Sequence, residues 1–496
     1  MKLTKSLLLA SVAGFAAVAS AQVADLPSKK AAPVEYVKVC PTYGPGFFYI
    51  PGTNTCLKVG GSMWGEINYG QKYTHDQSPL GTRTSGTVSF DARDNTEYGL
   101  LRTFVAPNMS MRTGSDNSPS ANREGLNYGG NSFNAGGVNG LGIGSQGKQM
   151  QFNYVAYIQF GGLTVGHMDS FFSNGLHAQS NIGLDGRDQR DLTNTLAYTQ
   201  SFGGGISATV ALEDGTLNNR NGVYDASRST TNGNANLGNG GIGYGSNRLP
   251  DYVANVLVDQ AWGKFQVSGM IHSINTQGGV ESAIFDSTGA VINNGSAYLG
   301  GRYQSSIGTQ YGYALQAATK INLPMIATGD YLFASAIWAQ AANGMALRNS
   351  GGADNTNNNS TGLGIGRVSV SLNDLAVDAN NKVYKPTVMG ASAEFGHQFT
   401  PTLGMYVGAS YTKIEWDAGA QAISSTKINP ANVAIVNLGL VWTPVKGFKI
   451  TPDVEYGKIS VKVANHNGIT SGTTGDTGDK KSESQVIGRI KIQRDF

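Results

Sequence analysis

The sequence has little charge and, beyond its first residues, no long apolar run, and both shortages exclude classes of protein. Charged residues make up 14% of the 496 residues, and the mean hydropathy is −0.21. This combination is typical neither of a cytosolic enzyme nor of a helical membrane protein. The formal net charge is only +3, which excludes the basic surplus of a nucleic-acid-binding protein.

The first residues indicate the compartment. Two lysines precede an apolar stretch at 6–18, and the small residues Ala-Ser-Ala follow at 19–21. This pattern predicts a signal peptide at 1–21, cleaved before Gln22, which is not a membrane anchor. After it, no stretch approaches the ~18 apolar residues that a membrane-spanning helix needs. The remaining classes are a secreted soluble protein and an outer-membrane β-barrel.

Cysteine is also scarce, since the chain contains only Cys40 and Cys56. In an oxidising periplasm, a disulfide bond between them is the natural expectation. Two unpaired thiols remain the alternative, because sequence does not give the distance between the two side chains.

A regular alternation is what the sequence does contain. In QMQFNYVAYIQFGG at 149–162, the apolar set includes Phe152, Tyr154 and Ile158, and the other set is rich in glutamine and asparagine. Alternate residues of a strand point to opposite faces, so this segment is apolar on one face and polar on the other. Similar segments lie near 57–69, 206–213, 264–272, 448–456 and 486–496, and we expect one fully polar face in each.

The connections between such segments alternate in length. The long ones lie at 71–84, 113–148, 169–192, 215–249, 276–304, 343–384, 416–430 and 464–482. The short ones are Asp94-Asn95, Gly161-Gly162, Gly203-Gly204-Gly205, Trp262-Gly263, 322–329, Thr400-Pro401 and 443–447. Eight long loops and seven short turns imply about sixteen antiparallel strands. Long loops at one end and tight turns at the other are typical of a transmembrane β-barrel.

The fold class predicted is therefore all-β: a closed transmembrane barrel at 53–496, after an N-terminal periplasmic segment at 22–52. A band of ~25 Å crossed at a tilt of ~40° needs about ten residues per strand, which the segments supply. A soluble sandwich would leave two long sheet edges to protect, whereas closure pairs every strand. Side chains do not fill the interior of a barrel with so many strands, so we expect a polar water-filled bore.

Several stretches resemble the porins of alphaproteobacterial outer membranes. They are VEYVKVCPTYGPGFFYIPGTNTCLKVGG at 34–61, NTEYGLLR at 95–102, YIQFGGLTVGHMDSFF at 157–172, LAYTQSFGGGISATVALED at 196–214, PDYVANVLVDQAWGKFQVSG at 250–269 and the final IQRDF. The resemblance implies a trimeric channel of sixteen strands for small hydrophilic solutes, with its third long loop folded into the pore. It also implies outer-membrane lipid, lipopolysaccharide and the outer-membrane assembly machinery as partners.

If the third loop enters the pore, its carboxylates and the basic residues of the wall set a transverse field that selects solutes by charge. The loop candidates are Asp169, Asp185, Arg187, Asp188, Arg190 and Asp191. The wall candidates, chosen by strand parity, are Lys58, Arg93, Arg102, Arg112, Lys264, Lys449, Arg489 and Lys491. The alternative is that most of these are ordinary solvated charges.

Three further positions carry expectations from the resemblance. The C-terminal Phe496 is expected to be an assembly signal, or else an aromatic of the membrane interface. Leu100 and His167 depart from the family pattern, which more often has Thr and Arg there. If His167 lines the pore, its charge depends on pH, since an unperturbed histidine titrates near ~6.5.

No cofactor or metal site is expected. GNGGIG at 238–243 fits a dinucleotide-binding pattern but has no flanking strand and helix. ADNTNNNSTG at 353–362 lacks the central glycine and final glutamate of a calcium loop, although a loop-bound divalent ion remains an alternative. The histidines show no metal-ligand spacing.

The function expected is passive diffusion of small solutes through an outer-membrane pore. The main alternative is a channel selective for a particular sugar or anion. An outer-membrane enzyme would need an assembled catalytic set such as Ser–His–Asp on a smaller barrel. A soluble sugar-binding or adhesive β protein is the fourth possibility, and it would bury its apolar faces in a packed core.

Overall fold

The computed structural model describes most of the chain. The described residues are 38–70, 80–113, 148–176, 192–215, 223–225, 241–242, 249–275, 308–346, 362–365, 368–371, 373–378, 380, 382–417, 419–420, 423, 428, 430–462 and 482–496. None of the helices within these ranges is long and apolar enough to cross a membrane.

Sixteen long strands form one antiparallel barrel. They are β1 (Cys56–Gly70), β2 (Leu80–Thr96), β3 (Gly99–Thr113), β4 (Lys148–Phe160), β5 (Leu163–Asp169), β6 (Leu192–Gly203), β7 (Ile206–Glu213), β8 (Asp251–Gln260), β9 (Gly263–Asn275), β10 (Thr309–Asn322), β11 (Tyr331–Gln340), β12 (Pro386–Thr400), β13 (Leu403–Trp416), β14 (Ala431–Val445), β15 (Phe448–Val461) and β16 (Ser482–Asp495). Each pairs with its sequence neighbours, which confirms the predicted class and strand number.

The barrel closes where β16 pairs with β1. Ile67 lies opposite Ile490 in this ladder. At its end, the N–H of Phe496 donates to the carbonyl of Gly61, and the N–H of Gly61 donates back to Phe496, both at 3.0 Å. Closure leaves no free edge, so the backbone groups of the strands are paired within the sheet, as a hydrocarbon environment requires.

The outer face is apolar along the strands. In β4, Phe152, Tyr154 and Ile158 are exposed on the outside, whereas Tyr157 and Gln159 face the interior. The exposed apolar side chains of β1 and β16 likewise occupy alternate positions along each strand, all on the outer face. An apolar exterior that follows the strands of a closed barrel is typical of contact with lipid, so this face marks the membrane-spanning surface.

Several predicted boundaries are wrong, among them the turn at Asp94-Asn95 and the end of the loop 71–84. Asp94 and Asn95 do not form a turn, because Asn95 pairs with Leu100 inside the β2–β3 ladder. The turn lies at Glu97 and Tyr98, and Gly99 follows it with a φ of 111°, a value that favours glycine. Likewise β2 begins at Leu80, inside the predicted loop 71–84. In both places polar residues were assigned to a turn or loop but belong to a strand. A strand of this barrel tolerates polar residues because one of its faces is directed toward the water-filled interior.

A small lobe, residues 40–55, lies at the start of the barrel. Cys40 and Cys56 are disulfide-bonded with their Cα atoms 5.9 Å apart, which confirms the predicted bond. The short strand Phe47–Tyr49 pairs with the first residues of β1. Phe47 is buried against the two cysteines, so this N-terminal lobe has a small core of its own.

The inner face is not polar everywhere, contrary to the sequence expectation. Near the loop end of β14 and β15, the inward residues Val433, Ile435, Ile459 and Val461 are apolar and buried. The helix Asn343–Ala346 belongs to the same buried cluster, so the sixth long loop also enters the barrel. Apolar residues face inward here because loops, rather than water, cover them.

Candidate functional site

The third long loop turns into the barrel immediately after β5. The hydroxyl of Ser170 and the N–H of Phe171 both donate to the buried carboxylate of Glu213 on β7, at 2.6 and 2.8 Å. The side-chain amide of Asn255 on β8 donates to the carbonyl of Phe171 at 2.6 Å. A buried carboxylate that accepts two bonds fixes the loop to the inner wall firmly.

The same loop then crosses the interior toward β11. Gln266 on β9 donates to the carbonyl of Ser173 at 2.9 Å. Leu176 packs in a buried cluster with inward residues of β10 and β11, among them Ala318 and Phe333. Residues 170–176 therefore run inside the barrel, as the family resemblance implied, and narrow the bore.

The predicted charges of this loop are only partly placed. Asp169 ends β5 and is exposed. Five others lie outside the described residues: Asp185, Arg187, Asp188, Arg190 and Asp191. Their role at the constriction stays a prediction.

A buried ion cluster, which we call the wall cluster, crosses the barrel seam. It consists of Glu66, Tyr406, Asp453 and Arg489. The guanidinium of Arg489 binds both oxygens of Asp453 and lies 3.4 Å from Glu66. The phenol of Tyr406 donates to Asp453 at 2.8 Å. The predicted wall residue Arg489 is thus held by two carboxylates, Glu66 and Asp453, that were not among the predicted site residues.

Next to it, Trp64 lies between two cations of the inner wall. Its ring is 4.6 Å from the ammonium of Lys491 and 5.0 Å from the guanidinium of Arg83. Both contacts are within the range of cation–π attraction. Lys491 was predicted, but Arg83 was missed because its position was assigned to a loop. Arg83 is an even number of residues from the predicted Arg93 on the same strand, so both side chains face the interior. This spacing is the sequence signal that could have identified Arg83 as a wall residue.

A second ion cluster, the mouth cluster, lies at the turn end of β1 to β3. It consists of Phe47, Lys58, Asp91, Arg93, Phe104 and Arg102. The carboxylate of Asp91 accepts bonds from Arg93 at 3.0 and 2.7 Å and from Arg102 at 2.8 and 3.0 Å. Three predicted wall bases are brought together here beside the N-terminal lobe: Arg93 and Arg102 bind Asp91, and Lys58 lies opposite Asp91 in the β1–β2 ladder.

The other predicted wall bases are dispersed. Lys264 on β9 pairs with Asp259 at 2.7 Å, and Lys449 on β15 lies 3.6 Å from Asp495. For Arg112 only the backbone position, opposite Arg83 in the β2–β3 ladder, is described. The wall bases therefore do not form one continuous row in the described part of the barrel.

His167 does not line the pore, so the condition under which it would contribute to the pore is not met. Its ring lies 4.8 Å from that of Tyr154, an exposed residue of the outer face, and its Nδ1 is 3.0 Å from the amide oxygen of Asn194. Its parity on β5 is that of the outward Val165. Position 167 thus has no direct contact with the bore.

Comparison with known families agrees with this geometry. The family model described as "Porin subfamily" matches residues 25–487. The chain belongs to the porin subfamily. Membership together with the closed barrel makes it a multi-pass protein of the outer membrane.

Two porin relatives are similar over part of the chain. Porin Omp2b of Brucella suis is 33% identical over 274 residues, which are 54% of this chain and 65% of the relative. Porin Omp2b of Brucella abortus (strain 2308) is 33% identical over 277 residues, with the same shares. The matched part therefore spans 65% of the length of these relatives, which is less than two thirds.

One solved structure shows the same fold. The outer membrane channel DcaP of Acinetobacter baumannii aligns with a TM-score of 0.53 at 13% identity, and covers 90% of this chain and 99% of its own. Identity this low establishes the barrel architecture alone. Within the described residues of this porin, no group of His, Cys, Asp and Glu is arranged to hold a metal ion.

Proposed function

We propose that this porin forms a water-filled channel for passive diffusion of small hydrophilic solutes and ions across the outer membrane. The observation that carries the proposal is the contrast between its two faces. The outside is a band of exposed apolar side chains, whereas Lys264 and Asp259 remain about half exposed inside the barrel. Charged groups inside a membrane-spanning sheet keep their hydration only if the bore holds water.

The mechanism is selection by size and charge along this bore. Residues 170–176 narrow it from the side of β7 to β11, and basic residues line the strands on both sides of the barrel seam. We propose that the acidic residues 185, 188 and 191 face these bases and set a transverse field. Such a field orients dipolar solutes and adjusts the balance of anions and cations.

Planar-bilayer recording tests the channel. We expect conductance steps that scale with the bulk salt concentration, because ions would cross as hydrated species. A folded protein that gives no steps would contradict the proposal and favour an adhesive or enzymatic role. Recordings that also show concentration-dependent block by one sugar or anion would favour the selective channel, the second candidate.

The predicted constriction charges have their own test. The triple variant Asp185→Asn/Asp188→Asn/Asp191→Asn should shift the reversal potential in a salt gradient toward anions, because it removes negative charge from the pore. A reversal potential equal to that of the unchanged protein would show that these residues do not guard the pore.

We further propose the assembly context from family membership. The mature protein would comprise the N-terminal segment 22–52 and the barrel 53–496, and would associate as a homotrimer surrounded by lipid and lipopolysaccharide. Phe496, whose ring is exposed beside Gly61 at the seam, is accessible for recognition by the assembly machinery. We assign the chain no catalytic activity.

A further inference from the structure

The mouth cluster carries more positive than negative charge. Arg93 and Arg102 share the single carboxylate of Asp91, as described above. Lys58 lies opposite Asp91 in the β1–β2 ladder, with its ammonium 5.8 Å from the ring of Phe47. Within the described part of the chain, no carboxylate forms an ion pair with Lys58. Two guanidiniums on one carboxylate, with an ammonium beside them, leave an excess of positive charge on the inner wall.

Aromatic rings stand beside each guanidinium of this cluster. Arg93 lies 4.8 Å from the ring centre of Phe47. Arg102 lies 5.3 Å from Phe104 and 5.4 Å from Tyr157, and these two rings stack at 5.3 Å. Guanidinium groups hold carboxylates in a bidentate geometry, and aromatic faces hold planar rings. A molecule that combines a carboxylate with a ring would satisfy both.

The cluster is separate from the constriction made by the third loop. Arg93 and Arg102 face each other only a few residues from the turn at Glu97 and Tyr98. The third loop contacts β7 to β11, on a different part of the wall. The N-terminal lobe supplies Phe47, so the disulfide-bonded segment forms one side of this site at the periplasmic mouth.

We propose that the mouth cluster is a binding site for small aromatic carboxylates, at which such anions pause as they cross the periplasmic end of the bore. Arg93 and Lys58 contact the carboxylate, and Phe104 contacts the ring. The Asp91 bridge holds the guanidiniums in place and lowers the net charge, so binding stays weak enough for release. This inference rests on the proposed channel function and adds a ligand class to it.

Benzoate block of single-channel current tests the site. We expect benzoate to reduce the current in a saturable way, whereas benzamide, which has the same ring without charge, does not. Acetate, which has the charge without the ring, should block only at much higher concentration. Equal block by acetate and benzoate, or block by benzamide, would overturn the proposal.

Variants assign the block to individual residues. Arg93→Gln should weaken benzoate block about tenfold, the expected loss for one charge-assisted hydrogen bond. Phe104→Leu should weaken benzoate block and leave acetate unchanged. The control is Arg494→Gln, since Arg494 lies at the same end of the barrel on its outer face. Benzoate block that Arg93→Gln leaves intact would overturn the proposal.

Calorimetry with the detergent-solubilised protein separates this proposal from the channel itself. Benzoate binding that Arg93→Gln weakens supports the site even if no conductance is seen, in which case only the channel function fails. Normal conductance without benzoate binding overturns the site and leaves the channel function standing.

Discussion

Two clusters of arginine and carboxylate on the same inner wall differ in burial and in composition. In the wall cluster one guanidinium forms ion pairs with two carboxylates, and the side chains of Arg489 and Asp453 are only 2% and 1% exposed. In the mouth cluster two guanidiniums serve one carboxylate, and Arg93, Arg102 and Asp91 are 24%, 21% and 11% exposed. The first is buried, whereas the second is partly exposed on the inner wall.

The difference indicates which charged residues of the pore wall stabilise the barrel and which contact solutes. A buried ion pair contributes little net stability, but loss of one partner is costly because the other charge stays buried. A partly exposed pair loses less when it is broken, since water reaches the charge that remains. Burial therefore predicts a structural role for the wall cluster and a role in solute contact for the mouth cluster.

The largest effect is expected for Arg489→Met. It leaves Asp453 and Glu66 buried without their cation, which should lower the free energy of unfolding by about 3–5 kcal/mol. Denaturant unfolding in detergent measures this. The matched control, Arg489→Met with Asp453→Asn and Glu66→Gln, removes every charge of the cluster and should recover most of the loss. If the single and triple variants unfold alike, the uncompensated charge is not the cause.

An intermediate effect is expected for Glu213→Gln, which tests burial in a different setting. The amide oxygen can still accept from the N–H of Phe171, but the amide NH2 replaces the charged acceptor of Ser170, and the loss of both charge-assisted bonds should cost about 1–3 kcal/mol. Because this contact fixes the third loop to the wall, single-channel current should also become noisier. Asp259→Asn, a change at an exposed lumen carboxylate, should leave the noise unchanged. Quiet recordings from Glu213→Gln would show that other contacts hold the loop.

The sequence predicts the barrel well because period-two alternation and loop spacing are local signals. Both follow from the membrane, which imposes one apolar face and a fixed strand length. The inner position of Lys58, Arg93 and Arg102 is predictable for the same reason, whereas the disulfide is predictable from the oxidising compartment and the presence of only two cysteines.

The partners of these residues are not predictable in this way. Parity places Arg489 on the inner wall, but its contacts with Glu66 and Asp453 depend on the register between strands far apart in the chain. The covered apolar patch around Val433 and Ile459 is likewise not predictable from the alternation of apolar and polar residues. That pattern does not show whether the inner face of a strand contacts water or a loop.

A smaller effect, dependent on pH, is expected at Asp330 in the turn before β11. Burial by itself raises the pKa of this carboxyl, but hydrogen bonds from His397 at 2.7 Å and from the N–H of Gln398 at 2.8 Å, together with the charge of His397, lower the pKa below its ordinary value. Stability from this pair is therefore present above the ordinary pKa of about 3.9 and is lost as pH falls through the lower folded value. Asp330→Asn should reduce the melting temperature at pH 7. The melting temperature of this variant should also decrease less with acidification than that of the unchanged protein. Parallel melting curves across that range would contradict this.

The smallest effect on stability is expected for Arg93→Gln. This variant tests whether the mouth cluster differs in role from the wall cluster. Asp91 keeps both bonds from Arg102, and the lost pair is partly exposed, so the free energy of unfolding should change by less than about 1 kcal/mol. The same substitution is expected to weaken benzoate block about tenfold. A variant that unfolds as easily as Arg489→Met would show that the mouth cluster holds the barrel and the N-terminal lobe together. Stability near that of the unchanged protein, with altered solute contact, would instead mean that exposure to the bore, rather than the residue types, separates the two clusters.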